Sequence, residues 1–249
     1  MKTRITFFTN SSSKLSLPVL RALRDSERIE IAHVFFYDTI GASKGQLLSI
    51  IRKHGLKKTI LKALSVVCSK ALAKTGFRNS VGTIRTSFEF AASQQIPFTV
   101  TRSVNDSAIV ESAKSAGADL LVCCSFSQIM RTAILQSADA AINIHPSLLP
   151  KYRGPLPSFW VLKNGESESG VTFHLMSTGI DDGKIVQQLS LPVDPDWSED
   201  ELTERLFSLA GDRAESVLDG FVRGEIEPYA QDESQATYFS FPSSRDRRG

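Results

Sequence analysis

The apolar residues of this chain fall into short runs at strand spacing and longer stretches at helical spacing, and the two alternate. Arg4 to Thr9 is a β-branched and aromatic run. Asn10-Ser11-Ser12-Ser13 interrupts it, and Leu15, Leu17, Val19, Leu20 and Leu23 then recur as one face of a helix, with the three serines as candidate caps. Ile29 to Tyr37 reads as a second strand, with His33 inside it as a core residue. Leu47, Leu48, Ile51, Leu56, Ile60, Leu61, Leu64, Val67, Cys68, Ala71 and Leu72 return to helical spacing. A further helix is predicted over Thr83 to Gln95, a short strand over Ile96 to Thr101, and a turn from Ser103 that opens a helix through Ala116. Ala118 to Cys124 is almost continuously apolar, as a central parallel strand requires.

Ala140 to His145 is the next strand, and Pro146 ends it because proline cannot continue a hydrogen-bonded ladder. Leu156 to Leu162 predicts a short helix beginning at Pro157. Ser169 to Met176 and Lys184 to Val193 read as two extended strands around a Gly179–Gly183 loop. Ser198 caps a helix with acid in its first turn, which runs to about Arg223. The alternation predicts an α/β fold: a Rossmann-like open, mostly parallel sheet with helices on both faces. It divides the chain into 1–197, with a helical insert at about 41–80, and a C-terminal helix and tail over 198–249, with 243–249 expected to be disordered.

Charge changes this picture in one place. The net charge is only +2, but no acid lies between Asp38 and Glu89, while Lys44, Arg52, Lys53, Lys57, Lys58, Lys62, Lys70, Lys74 and Arg78 occupy the polar positions. Such a basic amphipathic insert suits substrate phosphates, nucleic acid or an anionic membrane surface, and equally a solvated helical hairpin covering a sheet edge. With 41% hydrophobic and 22% charged residues the composition is that of a soluble globular protein, and no run approaches the roughly 20 apolar residues of a membrane span. Cys68, Cys123 and Cys124 have no metal-ligand spacing and read as small apolar fillers, so a reduced, cytoplasmic protein without a metal site is expected.

Candidate chemistry gathers at Ala140–Gly154. Asn143 and His145, two apart on a strand, project an amide and an imidazole to one side at a carboxyl end, where open α/β sheets hold ligands. No G-x-G-x-x-G or phosphate-loop pattern follows the first strand, and there is no serine elbow for an acyl-enzyme. Taken by itself, Asn-x-His on a strand is more often a satisfied core pair than a catalytic one.

The wider segment Asn-Ile-His-Pro-Ser-Leu-Leu-Pro-Lys-Tyr-Arg-Gly, residues 143–154, resembles the folate-dependent formyltransferases, the 10-formyltetrahydrofolate N-formyltransferases. These include the sugar N-formyltransferases, methionyl-tRNA formyltransferase and glycinamide ribonucleotide transformylase. A second resemblance runs from Gly170-Val-Thr-Phe-His174 through Gly179-Ile-Asp-Asp-Gly183. It implies that 1–197 is the catalytic domain, that 10-formyltetrahydrofolate is the co-substrate, and that Asn143, His145 and Asp181 are the catalytic trio. Asp181 is chosen over Asp182 because Asp181-x-Gly183 keeps the family spacing. In that role His145 and Asn143 would donate to the oxyanion of the tetrahedral intermediate, and Asp181 would favour a charged imidazole and relay the amine proton.

The resemblance also implies a folate slot lined by Phe126, Ser127, Gln128, Ile129 and Met130 together with Ser177, Thr178, Gly179 and Ile180. Ser127 and Gln128 are more polar than some relatives carry. Asn10, Ser11, Ser12 and Ser147 are the expected contacts of the amine substrate, and His174, inside a strand, is expected to be structural. The partner expected is a small, phosphate-bearing primary amine, first of all a nucleotide-linked amino sugar; a homodimer is compatible with this. Glycinamide ribonucleotide or methionyl-tRNA formylation, formyl-folate hydrolysis, and tRNA binding through the basic insert are the alternatives. The tail from Tyr229 resembles the segment after the catalytic domain in several formyltransferases, and the further C-terminal domain of a methionyl-tRNA enzyme is not expected here.

Overall fold

The structure, a computed structural model, describes residues 1–38 and 84–247. The basic insert expected over 41–80, with Cys68, lies outside the described residues. Seven strands form one sheet in the order β3-β2-β1-β4-β5-β6-β7. They are β1 (Thr3–Asn10), β2 (Ile29–Tyr37), β3 (Phe98–Thr101), β4 (Leu120–Cys124), β5 (Ala140–His145), β6 (Glu168–Leu175) and β7 (Ile185–Pro192). The first five run parallel, and β6 and β7 are antiparallel additions beside β5. After β5 the chain passes through helix α5 (Pro157–Lys163) and returns antiparallel, with Thr172 of β6 beside His145.

Strand alternation sorts the side chains into two cores. Ile5, Phe7, Val34, Phe36, Leu120, Val122, Ile142, Ile144, Val171 and Phe173 share one face with the apolar stripes of α1 (Leu17–Asp25), α2 (Ser87–Ser93) and α6 (Glu199–Val222). Phe8, Phe35, Leu121, Cys123 and Ala141 form the other with Val110 and Ala113 of α3 (Ser107–Ser115) and Ile134 of α4 (Thr132–Leu135). Each fully buried phenylalanine, Phe7, Phe8, Phe35, Phe36 and Phe173, contributes about 1.5–3 kcal/mol through burial. Covering both faces leaves every residue of β4 buried, which is why that strand reads as unbroken apolar sequence. Cys123 and Cys124 are free and buried, as fillers.

Helix α6 starts in a capping box, Ser198 N donating to Glu201 Oε2 (2.8 Å) and Glu201 N to Ser198 Oγ (3.3 Å). Phe207, Ala210, Ala214, Val217 and Leu218 of α6 belong to the main core, so no break in packing occurs at residue 197. Gly211 lies against Pro18 of α1, where a Cβ would come within 3.0 Å of the proline backbone. Helix α1 begins later than the serine triplet predicts. Ser13 Oγ instead closes a local turn on the N–H groups of Leu15 and Ser16, and the helix starts at Leu17 with no side-chain cap. His33 is only partly buried, bonded to Thr99 Oγ1 at 2.9 Å. The expected disorder of the end is corrected as far as Arg247: Ser243 N donates to Asp246 Oδ2 (2.8 Å), Lys163 donates to the Asp246 carbonyl, and Arg247 lies over the Phe159 ring. Among the described residues no helix is long and apolar enough to cross a membrane.

Candidate active site

Asn143 and His145 point to the same face of β5, as their spacing requires, and the antiparallel neighbour β6 sets His174 directly opposite Asn143. The loop between β6 and β7 supplies the fourth group, Asp181. The loops after β4 and β6 both leave the carboxyl ends of strands that flank Asn143, but β6 runs antiparallel to β5. The last residue of β6, Leu175, pairs with Ile142, and Met176 N donates to the Ala141 carbonyl (2.8 Å). The loop therefore leaves beside the start of β5 and folds back across the sheet face to bring Asp181 to His145.

The four side chains form one polar cluster. His145 Nδ1 lies 3.6 Å from Asp181 Oδ2, and His174 Nε2 lies 3.5 Å from Asp181 Oδ1. Gly154 N donates to Asp181 Oδ2 (2.9 Å), and the backbone of Asp181 itself is left-handed, φ 53°. Two backbone carbonyls choose the tautomers, since a carbonyl can only accept. His145 Nε2 donates to the Tyr152 carbonyl (2.9 Å), so the neutral ring presents an Nδ1 lone pair toward Asp181. His174 Nδ1 donates to the Leu175 carbonyl (3.0 Å), leaving Nε2 to accept from Asn143 Nδ2 (3.1 Å). The other hydrogen of that amide faces Asp181 Oδ1 at 3.4 Å. Both Asn143 hydrogens are thus committed within the protein. The side-chain carbonyl oxygen is the amide's remaining group.

Burial drives the electrostatics. It lowers the His145 pKa below its ordinary 6.5; the Asp181 anion and the Tyr152 carbonyl offset this only in part, and His174 adds to it. Burial by itself would raise Asp181, but His145, His174 and the Gly154 N–H outweigh it and hold the carboxyl well below its usual range. At neutral pH the pair is a neutral imidazole beside a carboxylate, poised to take a proton at Nδ1. Asp182, by contrast, is exposed and accepts from Ser177 Oγ.

Other expected site residues separate into those that face the cluster's surroundings and those that hold the scaffold. Ser127 Oγ donates to Asn10 Oδ1 (3.1 Å), which joins the loop after β4 to the end of β1. Phe126 packs edge-on against Phe8 and Tyr37. Ile129 and Ile180, 70% and 46% exposed, present apolar surface from the two loops, and Thr178 and Gly179 are exposed beside Ile180. Ser12 is partly exposed, whereas Ser11 is buried. Gln128 turns back into the protein, its Oε1 accepting from Val104 N (2.7 Å). Met130, expected in the folate slot, is packed in the second core at 4% exposure. Ser147, expected to meet substrate, is fully buried and donates to the Lys151 carbonyl (2.9 Å). Its hydroxyl shapes the 146–154 loop rather than a binding surface. Two cavities of about 320 and 310 Å³ lie along β7 and α6, lined by Arg213 and Val217 and by Trp197 and Arg205, away from the cluster.

The sequence model of the formyl transferase family matches residues 39–215, more than half of the chain. The chain belongs to that family. The methionyl-tRNA formyltransferase of Pelobacter propionicus is 38% identical over 151 residues, which cover 60% of this chain and 47% of that protein. The chain spans about half the length of the curated relatives it matches. Among solved structures, glycinamide ribonucleotide transformylase 1 from Symbiobacterium toebii superimposes with a TM-score of 0.64 at 16% identity, covering 92% of this chain and 94% of its own. The N-formyltransferase from Helicobacter canadensis in complex with folinic acid and dTDP-3-aminofucose gives a TM-score of 0.60 at 19% identity, covering 99% of this chain and 72% of that one. At these identities the structural matches speak for the fold. His174 was expected to be structural; its place beside Asn143 depends on the antiparallel pairing of β6 with β5, which a strand's own residues do not display.

Proposed function

We propose that the chain transfers a formyl group from 10-formyltetrahydrofolate to a primary amine by direct attack. The observation that carries this is the neutral, buried His145 with its Nδ1 lone pair beside ionised Asp181. The amine nitrogen attacks the formyl carbon to give a tetrahedral intermediate with an ammonium and an oxyanion. His145 Nδ1 accepts the ammonium proton, and the imidazolium so formed is stabilised by Asp181. The same proton is then delivered to the folate nitrogen as the carbon–nitrogen bond breaks, leaving the formamide and tetrahydrofolate. The Asn143 carbonyl oxygen can accept an N–H of the attacking amine, and His174 holds that amide in orientation.

For the acceptor we infer a small amine, first a nucleotide-linked amino sugar, a reading supported by the fold-mate that holds dTDP-3-aminofucose and folinic acid. Methionyl-tRNA is the second reading, favoured by the 38% identity to a methionyl-tRNA formyltransferase. Folate absorbance followed with dTDP-linked amino sugars, glycinamide ribonucleotide and charged initiator tRNA separates them. Formyl transfer to a sugar nucleotide is expected, with a shallow salt dependence; a tRNA acceptor would lose affinity by orders of magnitude between low and moderate salt as counterions are released. Folate consumption that is identical with and without every amine would replace transfer by hydrolysis. His174→Ala is expected to lower turnover roughly five-fold, the worth of one hydrogen bond of about 1 kcal/mol. A loss of a hundred-fold or more would instead make His174 a proton carrier.

A further inference from the structure

Gln231 lies in the C-terminal tail, fifty residues beyond Asp181, and is 9% exposed. All the hydrogen-bonding positions of its amide are occupied. Nε2 donates to the backbone carbonyls of Asp181 (2.8 Å) and Gly183 (2.7 Å). Oε1 accepts from Arg153 Nε (3.2 Å) and Nη2 (2.7 Å). Arg153 is bonded to Gly154, the residue whose N–H holds the Asp181 carboxylate. A closed circuit results. One end of the 146–154 loop grips Asp181 by its carboxylate, and Gln231, braced on the same loop, grips it by its carbonyl.

The tail is itself fixed to that loop. Arg153 N donates to the Thr237 carbonyl (2.9 Å), Phe239 N to the Arg153 carbonyl (3.0 Å), and Thr237 N to the Pro150 carbonyl (3.1 Å). Phe239 stacks between Tyr152 and Trp160, at ring-centre distances of 5.4 and 4.7 Å. Glu233 pairs with Arg153 at 2.6 Å. A flexible 176–184 loop would leave the Asp181 carboxylate free to swing to water, where a carboxylate is better solvated. Its left-handed backbone, uncommon for a residue with a side chain, is held by the Gln231 donors.

We infer that Gln231 is a positioning residue: it holds the Asp181 loop across the sheet face so that the carboxylate stays beside His145. The consequence for turnover rests on the formyl-transfer reading, while the geometry does not. Among the described residues the titratable groups that face His145 are Asp181 and His174. The test follows the His145 imidazole by NMR in the full chain, its signal identified by loss in His145→Gln. Asp181→Asn should lower the His145 titration midpoint by about 1–3 units, the usual effect of removing an adjacent opposite charge. Gln231→Met, of similar shape but without donors, should lower it in the same direction by a part of that amount, and should add nothing in the Asp181→Asn background.

An unchanged midpoint in folded Gln231→Met, or an equal fall with and without Asp181, would overturn the assignment. Should Gln231→Met not fold, Gln231→Glu keeps the Arg153 contacts and turns a carboxylate on the two carbonyls. Its added charge by itself raises the midpoint, so a fall supports displacement of Asp181 and a rise or no change refutes it. Formyl transfer, where the parent shows it, should drop in kcat about tenfold or more in Gln231→Met, since small misplacements of reacting groups are that severe. A titration shift in a parent that formylates nothing would leave Gln231's role standing and remove the formyl-transfer reading.

Discussion

Asp181→Asn is expected to lower formyl transfer by about 10²–10⁴, the range typical of a lost acid–base partner, with the fold retained. The substitution keeps the side-chain volume and an oxygen to accept the Gly154 N–H at its 2.9 Å distance, so the loop has reason to stay in place. What disappears is the anion 3.6 Å from His145 Nδ1. The imidazolium formed when the amine loses its proton is then left buried and unpaired, a state whose destabilisation belongs to the intermediate and not to the resting enzyme. The loss should accordingly appear in kcat more than in the folate KM. Asp182→Ala, one residue on and exposed, should cause a far smaller loss. Near-normal turnover in Asp181→Asn alongside a large loss in Asp182→Ala would reverse the choice between the two acids.

The pH dependence carries the same logic with a definite sign. His145 must be neutral to accept a proton, and burial lowers its pKa from the ordinary 6.5, so kcat/KM should show an acid limb with a midpoint below 6.5, separate from the rise at higher pH that belongs to deprotonation of the acceptor amine. The Asp181 anion pushes that midpoint up, so in Asp181→Asn the acid limb should move to lower pH. Stability follows in parallel. The unfolded chain binds a proton at His145 before the folded one does, and the folded Asp181 stays ionised below the ordinary 3.8, so both groups favour the fold above those values. Acidification from about 6.5 downward should weaken the parent progressively. Thermal unfolding at pH 7, 5 and 4 checks this; a parent more stable at pH 4 than at pH 7 would contradict it.

The parts of this molecule that were legible in sequence are those whose residues act on near neighbours. The apolar run of β4, the proline stop of β5 and the capping box of α6 are local events, and their elements lie within a few residues of where the pattern puts them. The two-residue spacing of Asn143 and His145 fixed their common direction. The pairing of β6 with β5 was not legible, because partner, direction and register are set between strands and neither strand's own residues display them. His174, the backward path of the Asp181 loop and the commitment of both Asn143 hydrogens all follow from that register. The inward turn of the Ser147 and Met130 side chains was not legible for a related reason: the sequence of a loop does not display which way each side chain points.

Gly183→Ala is the second large effect expected, and it separates two glycines that look alike in the pattern Gly-x-Asp-Asp-Gly. Only Gly179 was expected in the folate slot, and the space around the two sets them apart. A Cβ on Gly183 would sit 1.8 Å from the Leu175 carbonyl oxygen, part of the hairpin base where Leu175 N donates to the Lys184 carbonyl at 2.8 Å. Backbone on both sides leaves nothing to yield, so the loop must lift from the sheet, taking Asp181 with it. A Cβ on Gly179 would meet the Asp182 carboxylate at 1.9 Å, the far end of an exposed side chain that can rotate away. Gly183→Ala should therefore destabilise by about 1–3 kcal/mol or more, as overpacking does, and lower the melting temperature by roughly 2–4 °C for each kcal/mol. Gly179→Ala should fall within about 1 kcal/mol of the parent in stability. In Gly183→Ala the His145 midpoint should also fall, because the displaced loop withdraws its anion from the imidazole. Equal melting temperatures for the two variants, with His145 titrating as in the parent, would mean that the loop can move without the hairpin base, and that its glycines are there for a ligand after all.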